Sequence, residues 1–416
     1  MPKLDLSKNT WQTEALKPEG PTCLVIRAWL EPVAGMNRFQ PSGFPEIGHV
    51  IYDAPREDSR TEKICIVDSS ASMANHLEAV CMDGPTDLHK DLAGLPYVRC
   101  VTDKAVNPDK DDSLDTLVCI TLSEGHRLAS DYFLDALLTP VWQDERKEPV
   151  TPKKDKSETG KETAAKPPQE KTIPAQWAGI RFRDQLRQEF GIKEVKKDKT
   201  YFIWPATWWT IYKTLFKYDP NSLVHGVMFA KEQIKLSRML TPHMEALGAA
   251  RVGSSGVKFD RLGKTTSGQP IFAVDEETAQ SIVATFILDL ALLRSYGRDD
   301  KGLNEKQKRL LLDLAIWKIK HLLQSPFRFR TSCQLLCSGI AWWDETNDSK
   351  MPSSSSHKPS DICLSIKDSI SACGFDSAVK VYYPASELFK TAQDSEAATP
   401  DAAEVPGADV NEGGEV

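Results

Sequence analysis

The chain has 416 residues, 40% of them hydrophobic, which excludes a wholly disordered protein and leaves room for about two or three domains or for one elaborated domain. Its 59 Asp and Glu exceed its 52 Lys and Arg and give a formal net charge of -7, which excludes a uniformly basic nucleic-acid-binding protein. The longest apolar stretch, at 282–293, is interrupted by Asp289 and is too short to span a bilayer.

The first half of the chain predicts strands followed by helices, which indicates a mixed sheet with helices packed on it. A helix capped by Asp68 or Ser69 is predicted because Met73, Leu77 and Val80 share one face. Another helix is predicted at 127–138. The strand-like segments are 23–30, 49–54, 63–68 and 116–122.

The second half begins with a charged, Pro-bearing segment at 144–172, which predicts a disordered insertion. A long amphipathic helix is predicted at 275–296, with Glu276 and Glu277 early and Arg294 late, as suits the helix dipole. A second helix is predicted at 303–324 and a strand at 327–337.

The excess of negative charge lies in the C-terminal tail. From residue 392 onward there are seven acidic residues and no basic one, so the rest of the chain balances at 52 acids and 52 bases. Residues 391–416 lack large apolar groups and are predicted to be disordered. Such a tail either competes with stray polyanions for basic grooves or only solubilises the chain.

Nine cysteines occur, and no two of them show CxxC spacing. Most lie in apolar runs, which is typical of buried reduced thiols and argues against a structural zinc site. The N-terminal residues, MPKLDLSKNT, show no apolar segment of a signal peptide. We therefore expect a cytoplasmic protein with no membrane partner and no cofactor.

Basic residues concentrate between 231 and 264, where seven Lys or Arg face three acids in a partly Gly/Ser-rich connection. A cationic, Gly-rich loop at 250–268 suits phosphate contacts, which need reach more than a fixed catalytic geometry. A solvated surface with no ligand is the alternative. The candidate phosphate contacts in this region are Lys235, Arg238, Arg251, Lys258, Arg261 and Lys264.

A second candidate basic patch combines Arg328 and Arg330 with Lys318 and Lys320. The two arginines alternate on a predicted strand and should therefore face the same side. The paired tryptophans at 208–209 and 342–343 could stack bases, but their apolar surroundings favour core packing.

Asp68, Ser70 and Ser72 fit the D-x-S-x-S pattern that holds a divalent ion in von Willebrand A-type domains, where oxygen ligands suit hard cations. A helix cap explains the same residues, and Thr86 and Asp87 come too soon in the chain to complete such a site. The alternative function is therefore a metal-binding module or metal-dependent enzyme.

Catalytic motifs are missing from the sequence. It contains no HExxH, GxSxG, Walker A or GxGxxG pattern, and His126 and His225 stand alone. We therefore expect a protein that is not an enzyme and uses no catalytic residues.

Seven segments are similar to one known family. They are NRFQPSGFPEIGHVIYD (37–53), SMANHLEAVC (72–81), GLPYVR (94–99), HRLASDYFLDA (126–136), VHGVMFA (224–230), LDLALLRSYG (288–297) and FRFRTSCQL (327–335). In this order they resemble the RAMP-superfamily backbone subunit of type I-U (I-G) CRISPR effector complexes of the Cascade type. Gln334 departs from an acid that is usual there, which argues against a needed carboxylate at that position.

The resemblance implies an α+β fold, an RRM-like (ferredoxin-like) palm with inserted finger and thumb elements and helical additions. It divides the chain into a first part of the palm with finger insertions (1–143), the insertion (144–172), the remainder of the palm with the basic loop 250–268 and helices at 275–324 (173–390), and the tail (391–416). The sequence lacks the RNP aromatic signature, so base stacking of the usual RRM kind is not expected.

The resemblance also implies a non-catalytic subunit that binds CRISPR RNA, packs side by side with copies of itself and with other subunits of a type I complex, and meets target DNA through guide pairing. It places the 36–48 turn and the 250–268 loop near RNA. Arg38 and Arg127, in the first and fourth segments, complete the candidate RNA contacts. Related type III subunits cut RNA with a loop carboxylate, for which Asp260 is the candidate, but a type I resemblance predicts no cleavage.

Overall fold

The computed structural model describes residues 4–33, 37–44, 48–56, 60–84, 87–102, 116–143, 146–149, 170–173, 176–195, 200–202, 204–254, 275–346, 350–376 and 378–384. The α-helices within these ranges are α1 (Trp11–Leu16), α2 (Ser70–Ala79), α3 (Asp131–Leu134), α4 (Phe182–Phe190), α5 (Thr207–Tyr218), α6 (Pro220–His225), α7 (Leu290–Ser295), α8 (Glu305–Leu323) and α9 (Ile366–Cys373). No helix of the described ranges is long and apolar enough to cross a membrane.

The strands of the first half are β1 (Cys23–Pro32), β2 (Gly43–Phe44), β3 (Gly48–His49), β4 (Ile51–Pro55), β5 (Thr61–Asp68), β6 (Met82–Asp83), β7 (Asp87–Leu88), β8 (Val98–Thr102), β9 (Thr116–Ile120), β10 (Leu137–Gln143), β11 (Arg146–Pro149), β12 (Glu170–Ile173) and β13 (Gln176–Arg181). Those of the second half are β14 (Lys193–Val195), β15 (Thr200–Phe202), β16 (Val227–Phe229), β17 (Ile234–Leu236), β18 (Leu240–Leu247), β19 (Ala250–Ser254), β20 (Asp275–Thr278), β21 (Ser281–Asp289), β22 (Gly297–Arg298), β23 (Lys301–Gly302), β24 (Phe327–Arg330), β25 (Cys333–Asp344) and β26 (Val379–Tyr382).

A seven-stranded antiparallel sheet forms the centre of the molecule, in the order β24-β25-β1-β21-β18-β5-β4. Its inner part follows the chain as β1, α2, β18, β21, α8 and β25. If the four strands are numbered along the chain, their spatial order is 4-1-3-2, with one helix after the first strand and one after the third. This is the β-α-β-β-α-β arrangement of the ferredoxin-like fold, so the predicted RRM-like α+β palm is confirmed.

The interior of the palm lies between this sheet and the helices α2 and α8, which contact each other. Leu24, Ile26 and Ala28 alternate along β1 and are fully buried on the helix side, as the two-residue period of a strand requires. Helix α8 is apolar around most of its circumference, which is typical of a buried helix. It begins at a capping box in which the side chains of Asn304 and Gln307 each bond the other's main-chain N–H.

Helix α2 confirms the predicted cap, because the Ser69 hydroxyl accepts from the Ser72 amide at 3.2 Å. The predicted helix at 127–138 is shorter than expected. Only Asp131–Leu134 is α-helical, and the apolar residues that follow it enter strand β10.

The predicted helix at 275–296 is wrong over most of its length. Residues 275–278 and 281–289 form strands β20 and β21, and only Leu290–Ser295 is helical. Strand β21 pairs with β1 on one side and β18 on the other, and both of its faces are largely covered. Such a strand is a continuous apolar run, which periodicity alone cannot distinguish from a buried helix.

A second sheet has five strands in the order β13-β10-β26-β8-β9, and four of them lie in the long insertion between α2 and β18. The late strand β26 pairs in parallel with β8, so the end of the described chain completes a sheet that the first 143 residues begin. Strands β11 and β12 pair at the two ends of the predicted insertion 144–172, while 151–169 lies outside the described residues, as does the tail region from 385 onward. All nine cysteines are described and free, but only Cys65, Cys81, Cys100 and Cys333 are buried, fewer than their apolar surroundings in the sequence predict.

Candidate nucleic-acid interface

Residues 37–42 lie where three parts of the palm meet. The main chain of Phe39 exchanges two hydrogen bonds of 2.9 Å with Glu277 in β20, and the Gln40 amide donates to the Ser332 carbonyl in the turn between β24 and β25. The Ser42 amide donates to the Val67 carbonyl in β5. Residues 37–42 of the 36–48 turn are therefore neighbours of strand β20, which follows the 250–268 loop in the chain.

The arginines at this junction are held by carboxylates. Arg38 Nε lies 3.0 Å from Glu276 Oε2, and Arg251 Nε lies 3.2 Å from Glu277 Oε1. Both arginine side chains are about half exposed (51% and 49%), whereas the two glutamates are buried. A half-exposed guanidinium that is held by a buried carboxylate can also bind a phosphate. Its several N–H donors lie in one plane and match the geometry of the phosphate oxygens.

Asp68 holds a third arginine at the same junction. Its Oδ1 accepts 2.9 Å hydrogen bonds from Arg330 Nη2 and Ser42 Oγ, and His76 Nε2 lies 3.4 Å from its other oxygen. Burial raises the pKa of Asp68, but His76, Ser42 and Arg330 together hold that pKa below its ordinary value. The negative charge of Asp68 is already paired with the positive charge of the Arg330 guanidinium. This pairing does not fit the metal-binding alternative, in which a metal ion would supply the positive charge.

Arg328 is exposed and donates to the Thr331 hydroxyl at 3.0 Å. Strands β24 and β25 lose register between Arg328 and Arg330, and the two side chains differ in environment, since Arg330 is only 25% exposed. The prediction that Lys318 and Lys320 belong to the second basic patch is wrong. Lys318 is fully buried on α8, and half-buried Lys320 donates to the Ile362 carbonyl.

Comparison with family models matches residues 24–251 to the family of CRISPR-associated protein GSU0053 (Cas_GSU0053). The matched part runs from the first palm strand to β19 and covers more than half of the chain. The chain belongs to the Cas_GSU0053 family. A comparison with curated proteins gives no match.

The Cas_GSU0053 match includes Arg127, whose assignment as an RNA contact must be corrected. Its side chain is buried, and its Nε and Nη2 donate to the two oxygens of Glu78 at 2.7 and 2.8 Å. Its Nη1 donates to the Gly226 carbonyl at 3.3 Å. Arg127 thus ties three of the resembling segments together inside the protein, and its guanidinium is not presented to a ligand.

The Glu78–Arg127 pair extends into a buried polar cluster on α6 and α8. Asn221 donates to Glu78 and accepts from Lys318, and Ser222 Oγ donates to Asp219 Oδ2 at 2.6 Å. Burial raises the pKa of Asp219 to about 6 and lowers the pKa of His225 well below its ordinary value. Hydrogen bonds in the interior link Glu78, Arg127, Asn221 and Lys318. In contrast, Asp219 Oδ1 and both ring nitrogens of His225 are buried without a hydrogen-bond partner in the part of the chain that the structure describes. Because all of these side chains are buried, we regard the cluster as structural support.

Lys235 and Arg238 lie at the other end of the palm. Both precede Leu240, which starts β18, whereas Arg251 follows its end, and the eight residues of that strand span about 25 Å. Lys235 is exposed on β17, and Arg238 is partly buried. The structure therefore does not bring them together with Arg38 and Arg251.

Lys258, Arg261, Lys264 and Asp260 lie outside the described residues. Sequence reasoning missed the carboxylates that hold the arginines in this member of the Cas_GSU0053 family. It explained Glu276 and Glu277 by a helix dipole, and Asp68 by a cap or a metal. The available signal was the pair of adjacent acids, Glu276 and Glu277, in a short polar segment before an apolar strand. Their arginine partners lie far away in the sequence, so the pairing could not be read from it.

Within the described part of the chain, no group of three or more His, Cys, Asp or Glu side chains is arranged to hold a metal ion. At the junction around residues 37–42, arginine side chains are instead paired with buried carboxylates. Such an arrangement can bind a polyanion without reading its sequence, because phosphate contacts carry no base information.

Proposed function

We propose that this protein is a non-catalytic subunit that binds CRISPR RNA along its backbone in a type I effector complex. The observation that carries the proposal is the convergence of Arg38, Arg251 and Arg330 around residues 37–42. Membership of a CRISPR-associated family and the ferredoxin-like palm support the same role.

Guide RNA binding of this kind requires contacts that tolerate every sequence, so that base pairing alone selects the target DNA. Arginines fixed by buried glutamates meet that requirement, since they offer charge and several donors without base-edge recognition. The near-equal numbers of acids and bases before residue 392 allow copies of the chain to pack side by side along one RNA.

The experiment that tests this proposal is a salt series of RNA affinity for the Arg38→Ala/Arg251→Ala double variant. We expect weaker binding to all single-stranded RNA sequences and a salt dependence that is shallower by about 0.7 in slope for each phosphate that the variant no longer neutralises. Arg298→Ala is the matched control, because this exposed arginine lies beyond the opposite end of β21. Unchanged affinity and slope in the double variant, with the fold intact, would refute the assignment of this surface.

A further inference from the structure

Glu276 and Glu277 lie side by side in β20 and support different arginines. Successive side chains of a strand point to opposite faces, and accordingly Glu276 contacts Arg38 while Glu277 contacts Arg251. Glu277 is fully buried, and the main chain of Phe39 pairs with it as a third strand-like segment beside the two-stranded ribbon.

One carboxylate oxygen of Glu277 contacts both Arg251 and His49. Oε1 lies 3.2 Å from Arg251 Nε and 3.0 Å from His49 Nδ1, and Arg251 stands directly across the ladder from Glu277. Oε2 is buried and has no hydrogen-bond partner among the described residues. A buried carboxylate is costly unless it is paired, so the position of Glu277 favours conformations in which Arg251 and His49 stay in contact with it.

We propose that Glu277 is a positioning residue for RNA binding. Its carboxylate fixes the Nε edge of Arg251, so that the half-exposed guanidinium is already oriented when a phosphate arrives. Pre-orientation matters because a long side chain otherwise loses rotamer entropy on binding. This inference rests on the proposed RNA-binding function and adds the residue that makes the arginine effective.

The proposal and simple electrostatics predict opposite changes in RNA affinity for the variant Glu277→Gln. Glu277→Gln removes a negative charge beside a phosphate-binding arginine, so simple electrostatics predicts tighter RNA binding. If Glu277 instead orients Arg251, the variant binds RNA more weakly, by up to about tenfold, because the amide oxygen of Gln accepts from Arg251 without the charge that strengthens the bond. The readout is the dissociation constant for single-stranded RNA, measured by fluorescence anisotropy at several salt concentrations.

Two further variants complete the test. Glu277→Asp keeps the charge but shortens the side chain, and it should also weaken binding. In an Arg251→Ala background, Glu277→Gln should cause no additional weakening, because its effect passes through that arginine. Glu189→Gln, which removes a carboxylate on α4 paired with Lys217, is the charge-matched control and should not weaken binding.

The outcomes separate this inference from the proposed function. If Arg251→Ala leaves RNA affinity unchanged, the proposed interface is wrong. If Arg251→Ala weakens binding but Glu277→Gln tightens it or leaves it unchanged, only the positioning role is wrong. Should Glu277→Gln fail to fold, as judged by circular dichroism, Glu277→Asp and its double variant with Arg251→Ala decide the question in the same way.

Discussion

At the scale of single residues, the same pairing of arginine with carboxylate does two kinds of work. Arg127 is buried against Glu78 and joins α2 to the segment before β16, so its role is to hold elements together. Arg38 and Arg251 are half exposed on buried glutamates, so they remain accessible to a ligand. Exposure, which the sequence does not reveal, separates these two roles.

The buried cluster next to Arg127 gives a prediction about pH. Asp219 is fully buried and has a pKa of about 6, above its ordinary value of 3.8, chiefly because of burial. A carboxyl group whose pKa is raised by folding binds its proton more tightly in the folded state. Its contribution to stability is therefore present below about pH 4 and is lost as the pH rises through about 6.

We expect Asp219→Asn to remove this dependence, because an amide cannot ionise and its carbonyl can still accept from Ser222. The difference in the free energy of unfolding between variant and wild type should shift in favour of the variant by about 2 kcal/mol between pH 4 and pH 7. Urea unfolding across that range measures it. The opposite contribution of His225, which is lost below its ordinary pKa, is common to both proteins. A difference that does not vary with pH would contradict the prediction.

At the scale of elements, sequence patterns locate several elements of the palm. Strand β5, helix α2 with its Ser69 cap and helix α8 are all found within a few residues of their predicted places. The patterns fail at β21, since a strand covered on both faces has no alternation to read. They also miss the junction of residues 37–42 with β20, because that contact depends on pairing between segments about 240 residues apart.

The 250–268 loop carries an element-scale prediction, because its first residues form strand β19, which carries Arg251. Lys258→Ala/Arg261→Ala should weaken RNA binding across all sequences and lower the salt slope by about 0.7 for each phosphate that the loop no longer neutralises. The measurement is a filter-binding titration at several salt concentrations, with circular dichroism to check the fold. Equal slopes for variant and wild type would show that the loop does not contact phosphates.

At the scale of the whole molecule, the chain contains a palm, a second sheet and an acidic C-terminal region. The palm carries the arginine junction, and the insertion between α2 and β18 builds a second sheet that β26 completes. The excess of acidic over basic residues lies from residue 392 onward, away in sequence from the candidate RNA contacts. The proposed function requires such a chain to repeat along RNA, with one copy beside the next.

The most direct test of this account is the affinity of the purified full-length chain for guide-length single-stranded RNA and for duplex DNA of equal length, across a salt series. We predict tight, sequence-tolerant RNA binding that weakens with salt, with complexes that grow in regular steps as the RNA is lengthened. Absence of RNA binding at low salt, even after the other subunits of the complex are added, would contradict the account.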